Sequence, residues 1–115
     1  MHMYFDREGV PISQDQFENK LREVGFRRVA FTRIVNARQP EQKFFVSTVW
    51  TGIDAGYGKG APLIFETLVF PGEQMKRVFC QLDATESDSI ATHNKVVEHY
   101  SSQFSYPLIT NLEDE

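Results

Sequence analysis

KFFVSTVWTGIDAGYGKGAPLIFETLVF, residues 43–70, decides the fold. Its two ends, Lys43 to Trp50 and Leu63 to Phe70, are short runs of β-branched and aromatic residues that suit a pleated, half-buried surface. Working outward, Arg27 to Val35 has the same period of two, and Gln74 to Leu82 reads as a fourth run. The connection Asn36 to Gln42 is polar and contains Pro40, and Pro71-Gly72-Glu73 is short enough for a hairpin turn. Consecutive antiparallel pairing is the simplest topology for such runs, so the sequence predicts a four-stranded antiparallel meander.

Helical periods flank the meander. Ser13 followed by Gln16 is a capping-box pattern, and Phe17, Leu21 and Val24 recur at helical spacing until Gly25 supplies a stop. Before it, residues 3 to 12 read as a short strand that turns at Glu8-Gly9 and closes at Pro11. Beyond Asp83, Thr85 or Ser87 can cap a second helix, with Ile90, His93, Val97, Tyr100 and Phe104 tracing one face. The expected class is therefore α+β, in the order β-α-β-β-β-β-α. Residues 1–104 make one domain, and 105–115 make an acidic, partly apolar tail that could pack on a neighbouring chain.

The chain has 115 residues, 41% of them hydrophobic and 24% charged, which fits one globular domain and argues against disorder. The ten Phe supply large apolar surfaces for its core. No apolar run reaches the roughly 20 residues of a membrane helix, and the N-terminus lacks an export pattern, so a cytoplasmic site and no membrane contact are expected. Cys80 has no cysteine to pair with and lies between Val78 and Leu82 on one strand face, the position of an inert core thiol.

Charge is uneven along the chain. Residues 26 to 82 hold eight Lys or Arg against four Asp or Glu, while both flanks are acidic and the whole chain carries −4. A basic sheet suits an anionic small molecule or an acidic partner, whereas a pI near 5.4 argues against general nucleic-acid binding. The link Thr51 to Pro62 is glycine-rich and could cradle an anion through its N–H groups, with Asp54, Tyr57 and Lys59 as its polar contributors. It does not match a Walker loop, because Ile53 stands at the first glycine position and Gly60 follows Lys59. The alternative is a wide strand connection.

Arg33 and Glu66 interrupt apolar alternation. If both face inward they should pair, and otherwise they are candidates to hold a ligand. Trp50, beside the glycine link, could stack on a planar ligand or plug the core. The three histidines show no metal-ligand spacing and join no nucleophile motif; His93 is expected to pack and His99 to be exposed. No metal, cofactor or catalytic set is expected. A small hydrolase would need Glu66 or Asp54 as its acid or base.

Val46-Ser-Thr-Val-Trp50, Gly52-Ile-Asp54, Gly58, Pro62-Leu-Ile-Phe-Glu-Thr67 and Val69-Phe70, with Tyr4-Phe-Asp-Arg-Glu-Gly9, resemble small proteins encoded by tailed bacteriophages and some bacteria, a group with no established activity. The resemblance runs to about Phe70 and returns weakly in the last helix; Asn36 to Gln42 and the extended tail depart from it. It implies a non-enzymatic protein directed at host machinery. One form is a homo-oligomer that sequesters an anionic nucleotide signal in counter-defence, with Arg27, Arg28, Trp50, Asp54, Tyr57, Lys59, Glu66 and Arg77 as ligand-binding candidates. The alternative is an inhibitor or adaptor that contacts a host protein.

Overall fold

In the computed structural model, which describes residues 3–72 and 76–112, the elements in chain order are strands β1 (Tyr4–Phe5) and β2 (Pro11–Ile12), helix α1 (Gln14–Arg22), strands β3 (Arg28–Asn36), β4 (Lys43–Trp50), β5 (Phe65–Pro71) and β6 (Phe79–Asp83), helix α2 (Glu86–Ser101) and strand β7 (Pro107–Asn111). The class is α+β. The main sheet has five antiparallel strands in the order β6-β5-β4-β3-β7, and β1 and β2 form a separate hairpin.

The meander forms, and one strand is added to it. β3, β4, β5 and β6 pair in sequence order, and then the chain crosses the sheet as α2 and returns as β7 along the outer edge of β3. The expected order therefore gains a hairpin strand at the start and a fifth sheet strand at the end. Residues 107–111, expected as a tail, are an edge strand on their own chain. The fourth expected run, Gln74 to Leu82, begins outside the described residues, and among those described it is a strand from Phe79.

Alternation separates the two sheet faces. Thr32, Ile34, Val46, Thr48, Trp50, Phe65, Thr67 and Val69 point to one face and are buried. Their neighbours Phe31, Val35, Phe45, Val49, Leu68 and Phe70 point to the other and stay partly exposed. α2 lies across β3, β4, β5 and β6 on the first face, where Val96 packs with Ile34, Val46 and Val69. At the far end of that face, Phe5 from the hairpin and Phe17 from α1 close over Trp50, Ile64 and Phe65. Arg7 ties the two ends together through a 2.7 Å ion pair with Glu86 and a 2.9 Å bond from Nη1 to the carbonyl of Phe26.

Both helix starts follow their sequence signals. Ser13 and Gln16 form the reciprocal capping box, and the Thr85 hydroxyl accepts from the Asp88 N–H. The faces differ from expectation. In α1 only Phe17 is buried; the helix ends at Arg22, and Val24 is 87% exposed. In α2 the expected His93, Val97, Tyr100 and, just beyond its end, Phe104 do face the core, but Ile90 is exposed and Ser89, Thr92, Val96 and Ser101 join the buried set. The reason is the stripe of Thr32, Thr48 and Thr67 on the covered sheet face, which draws the polar residues of α2 inward. Cys80 is exposed rather than in the core, because its position on β6 lies on the open face beside Glu66.

Candidate functional site

Beneath α2 the polar residues form one directed chain of hydrogen bonds. The Thr32 hydroxyl donates to Asn111 Oδ1 at 2.8 Å, so it must accept from His93 Nε2–H, also at 2.8 Å. The other ring nitrogen, Nδ1, then accepts from the Thr48 hydroxyl at 2.8 Å, and Thr48 in turn accepts from Thr67 at 2.8 Å. Burial pushes the His93 pKa down and keeps the ring neutral. Every donor in the chain is used, so it pins α2, β3, β4, β5 and β7 to one another. Thr32, Thr48, Thr67 and His93 are buried and only Asn111, at one end, is exposed, which gives the chain a structural place.

The glycine-rich link is likewise organised from within. Asp54 accepts from the N–H groups of Gly56 at 2.8 Å, Gly58 at 2.9 Å and Leu63 at 2.9 Å. These three bonds favour the ionised carboxyl and hold its pKa below the usual carboxylate value. The N–H groups of Gly56 and Gly58 are thus turned toward Asp54 and not outward to an anion. Tyr57, with φ of 55°, stands at the loop tip and is 89% exposed, and Lys59 is exposed beside it.

Trp50 offers no face to a ligand. Its ring is fully buried against Phe17 and Phe26, and Nε1–H donates to the Phe5 carbonyl at 3.1 Å. It plugs the core, which removes it from the ligand-binding set. Arg33 and Glu66 both lie on the open face, so the condition for an inward pair is not met; Arg33 sits between Phe45 and Thr110, and Glu66 between Val49 and Leu82. Arg77 is exposed just before β6.

Arg27 and Arg28 do come together, and with a residue that the sequence pattern did not single out. The end of α1, the turn through Gly25 and the start of β3 enclose an open cleft of ≈ 450 Å³, to which Arg22, Arg27 and Arg28 contribute alongside Glu23 and Val49. Gly25, with φ of +80°, makes the reversal that brings Arg22 back toward Arg27. The Arg28 guanidinium lies 4.9 Å from the centre of the Phe31 ring, at the margin of the open sheet face. In sequence Arg22 is only a charge on a solvated helix face, and nothing local tells that the helix stops short. A larger cleft of ≈ 770 Å³, between Phe44, Pro71 and Phe104 at the other end of the sheet, contains none of the candidate residues.

The open face is the other unassigned feature. Its central rows run Arg33-Phe45-Phe70, Phe31-Ser47-Leu68-Cys80 and Arg28-Val49-Glu66-Leu82 across the strands. Phe31 and Phe45 stack with centroids 5.8 Å apart. Among the described residues no helix covers the centre of this face, and only the end of α1 reaches its margin, at Arg28 and Val49. Nor is any helix of the described residues long and apolar enough to cross a membrane.

Compared with known proteins, the chain matches no family model, no curated protein and no solved structure.

Proposed function

We propose that this chain is a non-enzymatic binding protein that sequesters a small phosphate-bearing anion, such as a nucleotide signal, at the cleft formed by Arg22, Arg27 and Arg28. The observation that carries this reading is the convergence of three arginines, from two elements and the turn between them, on one open cleft. Guanidinium forks bind phosphate oxygens in pairs, and a partly enclosed cleft strengthens each bond relative to open solvent. Arg22 and Arg27 are exposed and supply the grip, while Arg28 forms the inner wall over Phe31. The phage resemblance supplies the setting, a host cytoplasm in which removal of a signal counters defence.

Titration calorimetry with inorganic phosphate, nucleoside monophosphates and cyclic dinucleotides tests this reading, together with native mass spectrometry of protein purified from cells. Binding that Arg27→Ala or Arg22→Ala weakens about tenfold, or roughly 1.4 kcal/mol, is expected. No heat and no bound mass with any of these probes at about 1 mM overturns it.

A second reading, an inhibitor or adaptor for a host protein, is favoured by the open apolar sheet face. The small-hydrolase reading loses its Asp54 arm, because that carboxylate is engaged by three loop N–H groups. Self-association fits either binding reading.

A further inference from the structure

We infer that the phosphate taken by the arginine cleft is the head group of a soluble, single-chain amphiphile whose aliphatic chain lies on the open sheet face. This narrows the ligand of the cleft and rests on the cleft binding phosphate at all.

The cleft and the open face are one continuous surface. Arg28 and Val49 line the cleft, and both are also open-face positions, paired directly across β3 and β4. From Val49 the open face runs on through Phe31 and Leu68, on either side of Ser47, to Phe45 and Phe70. Along β4 the distance from Val49 to Phe45 is about 13 Å, at about 3.3 Å per residue. All of these apolar side chains are half-buried, so part of their surface stays in water at a cost.

Charge selects the sign of the ligand. Among the described residues, the open face carries Arg28, Arg33 and Lys43 against Glu66, and the cleft sets Arg22, Arg27 and Arg28 against Glu23. An excess of cations around an apolar centre suits an anionic amphiphile and disfavours a neutral or cationic one. Arg28 is already engaged within the chain and rests over the Phe31 ring, so it acts as the wall between cleft and face. The donors for the head group are Arg27 and Arg22. Arg22 gives Nη1 to Asn19 Oδ1 at 3.2 Å and keeps the other N–H groups of its fork. At the far end, the aliphatic stems of Arg33 and Lys43 extend the apolar floor.

The side chains beside the arginines set the class of the body. A nucleobase needs an open aromatic face, and the two phenylalanines nearest the cleft are engaged. Phe26 is contacted by Trp50, Lys20 and Arg7, and Phe31 by Arg28 and Phe45. Leu21, Val24 and Val49, which adjoin the arginines in the cleft, are aliphatic, and Val24 is exposed. Hydrocarbon matches this lining, and each methylene that leaves water tightens binding by up to about fourfold.

Calorimetric titration of the full chain with inorganic phosphate and with butyl, hexyl and octyl phosphate, each below its micelle-forming concentration, reads the outcome; adenosine monophosphate and octanol are the comparisons. Affinity should rise about twofold or more per methylene, so that octyl phosphate binds at least about tenfold tighter than butyl phosphate, and tighter than octanol. Arg27→Ala should weaken the whole series alike. Leu68→Thr should flatten the dependence on chain length and leave inorganic phosphate binding as it was. Methyl resonances of Val49 and Leu68 in the unaltered chain give the same reading without a variant: octyl phosphate should move them and inorganic phosphate should not move Leu68. Octyl phosphate within about threefold of butyl phosphate overturns the inference, as does octanol that binds equally well. So does a chain-length dependence that Leu68→Thr and Phe45→Thr both leave intact. Binding to vesicles of phosphatidylglycerol and phosphatidylcholine without binding to octyl phosphate also overturns it, and assigns the face to a membrane surface. If inorganic phosphate and adenosine monophosphate bind but a longer chain brings no gain, the chain assignment alone fails. If no phosphate binds, the reading of the cleft fails with it.

Discussion

His93 Nδ1 lies 2.8 Å from the Thr48 hydroxyl, and the opposite ring nitrogen lies 2.8 Å from the Thr32 hydroxyl, so the imidazole bridges two neighbouring strands from the helix above. The ring is neutral in the fold because burial disfavours its charge, with a pKa below the ordinary 6.5. In the unfolded chain it binds a proton near that value. Below about pH 6.5 the unfolded state therefore carries more protons than the folded one, and stability falls as pH drops toward the folded pKa, with a slope of up to about 1.4 kcal/mol per pH unit. Above that range this contribution is fully present. Urea melts between pH 7 and pH 5 should show the loss in the unaltered chain and not in His93→Gln. His93→Ala should cost about 2–4 kcal/mol from the lost packing and bonds. Equal pH slopes in the two proteins would rule this account out.

Much of the sheet was legible because β4 and β5 are rich in β-branched and aromatic residues, and burial alternates along them from Val46 to Trp50 and from Phe65 to Phe70. β7 was not legible. Its five residues begin with a proline and are all exposed, so no periodic apolar signal marks them, and only the empty edge of β3 gives them a partner. Most of the inner face of α2 was legible, since His93 is buried and Val97, Tyr100 and Phe104 pack on the core, but Ile90 is exposed and Ser89 and Thr92 are buried where the sheet beneath offers threonines. Thr32, Thr48 and Thr67 at inward positions were the available signal for a buried polar partner such as His93. In the candidate site, Arg27 and Arg28 were visible as charge, but Arg22 joins them only through the reversal at Gly25. Trp50 could be a stacking surface or a core plug in sequence terms, and only the third dimension decides between them.

Because β7 is an integral strand, truncation after Ser105 should damage the fold itself. It removes the pairing of β3 with residues 107–111, the 2.7 Å bond from the Leu112 N–H to the Phe31 carbonyl, and the Asn111 acceptor of the Thr32 hydroxyl. Asn111→Ala isolates the last of these and should cost about 1–2 kcal/mol, since Thr32 is buried and loses its acceptor. Thermal melts should place the truncated chain well below Asn111→Ala. A truncated chain as stable as the full one would show that β7 adds nothing to the fold.

Asp54 closes the glycine-rich link, so Asp54→Ala should release the loop while leaving the sheet. Amide hydrogen exchange at Gly56, Gly58 and Leu63 is the direct measurement, and all three should lose protection together. The pH dependence has the opposite origin from that of His93. The carboxyl pKa is lowered from 3.8 in the fold, so its contribution is present above that value and is lost as pH falls through the lower, folded pKa. Loss of loop protection at pH 5 to 6 would therefore point to another group.

Gly52 occupies the most restrictive glycine site, where the chain leaves β4. Its φ is +73°, and an added Cβ would stand 2.5 Å from Trp50 Cζ2 and 2.6 Å from Phe17 Cε1. Neither ring can yield cheaply: Trp50 is tied to the Phe5 carbonyl, and Phe17 stacks on Tyr4 with centroids 4.5 Å apart. Gly52→Ala thus combines left-handed backbone strain of about 1–2 kcal/mol with overpacking of about 1–3 kcal/mol. Gly58 has a similar φ of +80° but open space around its Cα, so Gly58→Ala should carry the backbone cost alone. Urea denaturation of the pair separates the two terms. The Gly52 variant should lie about 1–3 kcal/mol below the Gly58 variant. Equal midpoints would mean that the Trp50 and Phe17 rings reorganise without cost, and that the packing at this end of the sheet is looser than the fold requires.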